Sequence, residues 1–410
     1  MTTPGSPMPV AEDRRFVSID VLRGIALLGI LVLNIQMFAM PFEAYTNPTA
    51  YGDLEGANYL IWYMSQLLGD MKFMAIFSML FGAGIVLMIE RLEATGRSAI
   101  GIHYRRMVWL LLIGFGHAYL LWHGDILVAY AICGMLVVWC RRLPPVVLAL
   151  LGLAMVAVVS MLYLGFGFLL NAMPADKAAD MMGGGLTLEE SVQWQLQGFR
   201  GDWFEQMDVR VPTSLMIQTK GFFFFVFWRA AGLMLLGMAL HKWGVFTAKR
   251  STGFYLCLLG AGILVGLPVV AWGLHSHEAA QWDPITTKFL TSQYNYWGSI
   301  IVALGWTGLV MLVVKWGVLR WLQTSLAAVG RMALTNYLLQ SIVCITLFYG
   351  HGLGWYGSVE RTGQAMVVLA MSIAQLIWSP LWLSTFRYGP FEWLWRSLTY
   401  WRLQPMRRGG

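Results

Sequence analysis

Long apolar segments recur along the chain from residue 16 almost to its end, separated by short polar stretches. A helix needs about 20 apolar residues to cross a hydrocarbon core roughly 30 Å thick. We therefore predict an all-α polytopic membrane protein that forms a single integral membrane domain over residues 1–410. Ten spans are expected, at approximately residues 16–40, 70–89, 104–122, 126–140, 145–170, 221–240, 252–274, 296–314, 327–349 and 363–386.

The segments between the spans predict the orientation. Lys and Arg concentrate in the cytoplasmic segments of membrane proteins. Most of the 28 Lys and Arg fall on one side when the N-terminus is placed inside. This predicts an even number of spans with both termini in the cytoplasm. Residues 1–15 then form a cytoplasmic tail, 171–220 the longest extracytoplasmic loop, and 387–410 a tail on the cytoplasmic membrane surface.

Short interfacial or capped helices are predicted between the spans. In the long loop a glycine run at 183–185 precedes Thr187 and Glu190, whose spacing is a capping box and predicts a helix start. Residues 58–68 carry Trp62 and Tyr63, which favour the membrane interface. Trp and Arg are mixed in the C-terminal tail, so we expect it to lie on membrane lipids.

Composition narrows the class of protein. Hydrophobic residues make up 58% and charged residues 12%, and the mean hydropathy is +0.61, which excludes a large soluble domain. The formal charge of +7 is explained by orientation, so no nucleic-acid partner is expected. All four cysteines lie in apolar runs, where a thiol is usually a small packing residue. No zinc, phosphate-loop or dinucleotide motif occurs in a credible context, so we expect no metal.

Ionisable side chains inside a membrane are functional candidates because burying them is costly. In the first span, Asp20, Arg23 and Asn34 lie on one narrow stripe of the helix, given about 100° of turn per residue. Two interpretations stay open. Asp20 and Arg23 either form an ion pair that fixes the helix entrance, or Arg23 binds a phosphate-bearing ligand.

The second span begins with Asp70 and Lys72 at its outer end. Lys72 either extends to the membrane interface or balances charge in an outward-facing site.

The third span ends in the stretch GHAYLLWHGD, which contains His117, His123 and Asp125. An imidazole beside a carboxylate can take a proton from a hydroxyl or amine and return it, as acyl transfer requires. The alternatives are purely structural roles: a core histidine at position 117, an interfacial histidine at 123, and a helix cap at 125.

The ninth span carries Asn336 and Gln340, which are four residues apart and share a helix face, and Arg331 at its cytoplasmic end. Hydrogen bonds between helices would explain the two amides without any ligand. The alternative is that they line the path of a ligand.

Five segments carry a family resemblance: SIDVLRGIALLGILVLNI, KFMAIFSMLFGAGI, LLLIGFGHAYLLWHGDILVAYAICGML, GRMALTNYLLQSI and YGPFEWLWRSL. Together they resemble the YeiB-type family of bacterial multi-span proteins over nearly the whole chain. The entrance pattern of Arg15, Asp20, Arg23 and Gly24 is also similar to that of heparan-glucosaminide N-acetyltransferase and of the acyltransferase-3 proteins. These proteins are grouped as a transmembrane acyltransferase superfamily.

This kinship implies an enzyme that uses cytoplasmic acyl-CoA, expected to be acetyl-CoA, to acylate a hydroxyl or amine of a sugar or lipid at the outer side. The acyltransferase-3 pattern has a histidine where this chain has Asn34, and the N-acetyltransferase has one before its second span. The catalytic base is therefore expected at His117 or His123. Asp125 would orient it, and Lys72, near Asp70, would stabilise the oxyanion.

The same resemblance implies a donor site at the cytoplasmic ends of the first and ninth spans. Arg23, paired with Asp20, and Arg331 would bind the phosphates of acyl-CoA. The acyl path would be lined by Asn34, Asn336 and Gln340. The expected location is the bacterial cytoplasmic (inner) membrane.

Other function classes are left open. A secondary transporter or a lipid or glycan flippase would use the buried His, Asp and Arg groups as a proton relay. Against it, the chain lacks paired apolar segments interrupted by Gly or Pro in matching halves. A non-catalytic scaffold would need the polar stripe only for stability. A homodimer is also left open, because an apolar helix face serves lipid and a second copy equally well.

Overall fold

The described residues of the computed structural model, 16–96, 98–181 and 187–408, form helices and the turns that join them. Within these ranges no β-strand forms, and the only pairing is an isolated bridge between Phe386 and Arg407. The predicted all-α polytopic membrane architecture is confirmed. The predicted tail 1–15, with Arg15, and the glycine run 183–185 lie outside the described residues.

Eighteen α-helices follow one another in this part of the chain. The first nine are α1 Val17–Ala39, α2 Glu43–Thr46, α3 Gly56–Leu68, α4 Lys72–Glu93, α5 Ala99–Gly116, α6 Leu127–Val137, α7 Pro145–Asn171, α8 Ala175–Met181 and α9 Leu188–Arg200. The second nine are α10 Met207–Met216, α11 Phe227–Lys242, α12 Thr252–Ala261, α13 Leu267–Ala279, α14 Ser292–Trp316, α15 Arg320–Arg331, α16 Ala333–Phe348, α17 Arg361–Thr385 and α18 Pro390–Tyr400.

Within the described ranges, seven helical runs are long and apolar enough to cross a membrane, and α15 with α16 makes an eighth if that bent pair is one span. These eight correspond to all the predicted spans except the third and fourth. The third is α5 followed by a π-helical turn, and the fourth is α6 followed by a short 3-10 turn. The seven runs are Val17–Ala39, Gly56–Glu93, Pro145–Asn171, Met207–Lys242, Thr252–Ala279, Thr286–Trp316 and Arg361–Thr385.

The predicted ninth span, residues 327–349, is wrong as a single helix, because α15 and α16 meet at an angle of 80°. The C-terminal tail caps the helix that follows the bend. Glu392 of α18 accepts the backbone N–H of Thr335 at 3.0 Å and so caps the first turn of α16. Burial raises the pKa of this Glu392 carboxyl. The tail therefore stabilises the first turn of α16.

Close contact between α1 and α15 depends on two glycines. A methyl group added at Gly24 would collide with the backbone carbonyl of Leu326, and one added at Gly330 would collide with that of Asp20. Small residues of this kind let helix backbones approach closely in membrane proteins. α1 also packs against α4 and α16, so it lies at the centre of the helices that carry the polar residues.

Replacing Gly330 with alanine should destabilise the protein, because the added methyl group has no space at this crossing. Overpacking of this kind costs about 1–3 kcal/mol. The matched control is Gly84→Ala on α4, where the space beside the glycine is open. The measurement is thermal unfolding of both variants in detergent. Equal melting temperatures would contradict the close crossing of α1 and α15.

Candidate active site

The third predicted span ends in a widened helical turn. A π-helical turn over His117–Leu121 follows α5, and such turns occur frequently at functional sites. Side chains of α10 donate to its carbonyl groups: Ser214 Oγ lies 3.0 Å from the oxygen of Ala118, and Arg210 Nη1 lies 3.3 Å from that of Leu120. These bonds satisfy backbone groups of the widened turn, whose first residue is a histidine.

That histidine, His117, has a hydrogen-bond partner at each ring nitrogen. Nδ1 lies 2.8 Å from Oδ1 of Asp125, and Nε2 lies 2.8 Å from Oγ of Ser341. The three residues are buried, with exposed fractions of 2%, 8% and 1%. Of the two candidate histidines, His117 is the one that pairs with Asp125.

Asp125 serves two groups at once. While Oδ1 faces His117, Oδ2 accepts the backbone N–H of Val128 at 2.8 Å in the first turn of α6. Both interpretations of this aspartate, helix cap and orienting carboxylate, therefore describe its contacts. A carboxylate acceptor at Nδ1 places the ring hydrogen there, so Nε2 of the neutral ring accepts the hydroxyl hydrogen of Ser341.

Ser341 is the residue that sequence reasoning missed. A serine inside a helix commonly donates to the carbonyl four residues earlier, and a lone serine in an apolar run carries no further signal. Here the distance from Oγ to the carbonyl oxygen of Tyr337 is 3.4 Å, longer than the 2.8 Å to His117. Only the packing of α16 against the turn after α5 reveals this contact.

His123 lies in the turn between the third and fourth predicted spans and has different surroundings. Its ring stacks on Phe199, with centroids 5.6 Å apart. Its Nδ1 is buried without a hydrogen-bond partner in the described part of the chain. Burial, with a contribution from the Arg210 charge, lowers the pKa of His123 to about 3. His123 is thus a neutral ring in an aromatic cluster.

Helix α9 of the long loop packs onto this aromatic cluster. It begins at the predicted capping box, which is confirmed: the backbone N–H of Glu190 donates to Thr187 Oγ1 at 3.2 Å. Near its end, the Phe199 ring stacks on Tyr349 at 4.6 Å between centroids, and its carbonyl accepts the N–H of Gly350. The loop helix therefore covers the turns that follow α5 and α16.

Asp70 and Lys72 belong to a second cluster that shares no residue with the first. Asn295 of α14 links them: its Nδ2 donates to Asp70 Oδ2 at 2.5 Å, and its Oδ1 accepts from Lys72 Nζ at 2.7 Å. Tyr45 donates to the other carboxylate oxygen. Lys72 is fully buried, so it does not extend to the interface.

A buried arginine beside this second cluster was also missed by sequence reasoning. Arg229 of α11 donates to the carbonyl of Tyr296 at 3.0 Å and to Ser299 Oγ at 2.8 Å. Its guanidinium also lies 4.3 Å from the centre of the Tyr296 ring. It is close enough to Asp70 and Lys72 for the three charges to interact.

At the end of α1 that is predicted to be cytoplasmic, Arg23 pairs with Asp20 at 3.1 Å, and the two side chains are 29% and 16% exposed. Arg23 precedes Gly24 in the chain and Arg331 follows Gly330, so both arginines adjoin the α1–α15 crossing. Asn34 lies half-buried farther along α1.

The amides of Asn336 and Gln340 join α16 to α17. Asn336 Nδ2 donates to Ser379 Oγ at 3.1 Å, and Gln340 Nε2 donates to Gln375 Oε1 at 3.0 Å. The indole of Trp378 donates to the Asn336 carbonyl oxygen at 3.0 Å. Interhelical bonding thus accounts for both amides, as the interpretation without a ligand requires.

The side chains of the two polar clusters can form hydrogen bonds and transfer protons. In residues 16–96, 98–181 and 187–408, no group of three His, Cys, Asp or Glu side chains is placed to hold a metal ion.

Comparison with known proteins identifies the family. The E. coli K12 protein "Uncharacterized protein YeiB" is 35% identical to this chain, over 94% of this chain and 96% of its own length. This chain belongs to the YeiB family. The Bacillus subtilis 168 protein "Uncharacterized protein YxaH" is 30% identical over 98% of each chain. A family model described as "Protein of unknown function (DUF418)" matches residues 240–402.

The two kinds of match cover the site differently. The family model includes the helix of Ser341 but neither His117 nor Asp125. The YeiB relatives match this chain over nearly its whole length.

The hydrogen-bond pattern predicts the tautomer of His117. In detergent, ¹⁵N-labelled histidine spectra should show this ring with its hydrogen on Nδ1, because Asp125 accepts there. The signal, assigned by its loss in His117→Gln, should shift in Asp125→Asn, while the exposed His275 keeps its shift. A neutral His117 with its hydrogen on Nε2 would contradict this arrangement.

Proposed function

We propose that this YeiB-family protein is an acyltransferase of the bacterial inner membrane. It transfers an acyl group, expected to be acetyl, from cytoplasmic acyl-CoA to a hydroxyl or amine of a sugar or lipid on the extracytoplasmic side. The observation that carries the proposal is the hydrogen-bonded chain from Asp125 through His117 to Ser341, with 2.8 Å at each step.

This chain supplies a positioned general base. Asp125 fixes the ring orientation, and Nε2 takes a proton from the attacking group and gives it to the departing CoA sulfur. Burial of His117 keeps bulk water from the ring, which protects an activated acyl group from hydrolysis. Both properties suit acyl transfer inside a membrane.

The donor would bind at the α1–α15 crossing. Arg23 and Arg331 adjoin the two glycines in contact there, and guanidinium groups suit phosphate oxygens as partners. The partly exposed Arg23 keeps donor atoms beyond the one bonded to Asp20. The acyl-CoA headgroup would thus stay on the cytoplasmic side.

A second candidate function, a proton-coupled carrier or a flippase, is favoured by a different observation. Asp70, Lys72 and Arg229 form a buried charged cluster apart from His117. Ionisable groups inside a membrane domain often mark substrate or proton pathways. A carrier would move its substrate without covalent change.

Acetyl-CoA titrated into the purified protein should bind saturably, and more weakly in Arg23→Ala and Arg331→Ala. A hydrogen bond to a charged group contributes roughly 1.5–3 kcal/mol, so each variant should weaken Kd by about tenfold or more. The control is Arg142→Ala, since this exposed arginine lies beside Glu93 and away from the crossing.

Three outcomes would count against the enzyme. If acetyl-CoA does not bind, the protein lacks the proposed donor site. Substrate flux into sealed vesicles without any gain of an acyl group, abolished in Lys72→Met, would establish the carrier instead. Alanine variants at Asp20, Arg23 and His117 that lower only the melting temperature would indicate a scaffold.

A further inference from the structure

We propose that Ser341 is the nucleophile of this reaction, so that the acyl group rests on its hydroxyl oxygen between donor and acceptor. This inference rests on the proposed acyl transfer and adds a covalent intermediate to it. It is carried by the place of Ser341 at the end of the hydrogen-bonded chain.

The arrangement has the three roles of a serine nucleophile site. Ser341 Oγ lies 2.8 Å from Nε2 of His117, and the other ring nitrogen lies 2.8 Å from the Asp125 carboxylate. The residues come from α16, the π-helical turn and the turn before α6. Such constellations are recognised by geometry and role rather than by sequence order.

The hydrogen-bond partners in this cluster indicate that the hydroxyl of Ser341 donates its hydrogen to His117. Both carboxylate oxygens of Asp125 are engaged, one by the Nδ1–H of His117 and one by the N–H of Val128. Nε2 is then the acceptor that faces the serine, and the competing carbonyl of Tyr337 is farther away at 3.4 Å. The hydroxyl therefore points its hydrogen at a base.

The hydrogen bonding of α16 itself does not require this hydroxyl. A helix serine is satisfied by the carbonyl four residues earlier, as Ser276 is by Trp272 at 2.7 Å. Ser341 instead engages a buried histidine–aspartate pair, whose desolvation is costly. The neighbouring amides of α16 already join it to α17.

A buried indole beside His117 is a candidate donor for the developing oxyanion. The Trp122 indole Nε1 is buried and has no hydrogen-bond partner among the described residues. The centre of its ring lies 6.3 Å from that of His117. Preorganised donors of this kind stabilise the tetrahedral intermediate of acyl transfer.

In the first half-reaction, Ser341 Oγ attacks the thioester carbonyl carbon of acyl-CoA as its proton moves to His117 Nε2. The C–S bond then breaks, and the departing sulfur takes that proton, which leaves CoA–SH and an ester on the serine. In the second half-reaction, an acceptor hydroxyl or amine gives its proton to Nε2 and attacks the ester carbonyl carbon. The proton returns to Oγ as the ester bond breaks.

The test uses the full-length protein in detergent with two probes, an alkyl fluorophosphonate and [¹⁴C]acetyl-CoA. Adducts are quenched in acid and located by peptide mass spectrometry. Wild type should carry both labels on Ser341. His117→Gln and Asp125→Asn should slow fluorophosphonate labelling by about 100-fold or more, whereas Ser276→Ala should label at the wild-type rate.

Two serine variants complete the test. Ser341→Ala should lose both labels and transfer activity, and Ser341→Cys should carry a hydroxylamine-sensitive acetyl thioester. Site mapping in wild type needs no variant, so a poorly folded Ser341→Ala would not obscure the result.

Failure of this inference is distinguishable from failure of the proposed function. Acetyl transfer to an acceptor that continues at the wild-type rate in Ser341→Ala, or an adduct mapped to another residue, would overturn the nucleophile and leave the acyltransferase standing. If the fluorophosphonate labels Ser341 but no acyl-CoA supports transfer, Ser341 is a nucleophile and the proposed acyl-transfer reaction is wrong. Absence of both labels and of transfer would overturn both.

Discussion

His117 is buried with a hydrogen-bond partner at each ring nitrogen, and this arrangement organises the candidate site. One partner is near in the sequence and the other is distant: Asp125 follows it by 8 positions and Ser341 by 224. An unpaired nitrogen here would carry a desolvation penalty of roughly 1–3 kcal/mol. The contact therefore requires α16 to approach the end of α5 closely and in one register.

Several contacts elsewhere in the protein hold α16 in this position relative to the end of α5. Asp125 caps α6 and orients His117 with the same carboxylate. Glu392 caps the start of α16 from the C-terminal tail, next to the bend between α15 and α16. α15, on the other side of the bend, is held against α1 by two glycines. The position of Ser341 thus depends on contacts at both ends of its own helix pair.

Apolar run length predicted most of the spans because the membrane imposes one length scale on every helix. It failed at residues 327–349, where the polar, amphipathic α15 precedes the bend at Met332 and only α16 carries the apolar run. The capping box at Thr187 was predictable because both partners lie within one turn. Sequence spacing can predict contacts that form within one helical turn.

The site was predictable only in part, for the same physical reason. His117 and Asp125 lie 8 residues apart, so their pairing was within reach of sequence reasoning. Ser341 and Asn295 are joined to their partners by contacts between distant helices, and nothing in their local sequence marks them. Arg229 did carry a signal, because it is an ionisable residue inside the predicted span 221–240. Asn336 and Gln340 shared a face as expected, yet that face binds α17.

The central claim is that His117 transfers protons in an acyl-transfer reaction. The most direct measurement is the release of CoA thiol from acetyl-CoA by the purified protein, reconstituted with bacterial lipid and glycan extract. The account predicts release that falls by about 100-fold or more in His117→Gln and is unchanged in His275→Gln on the exposed face of α13. Equal rates of thiol release in wild type and His117→Gln would contradict it.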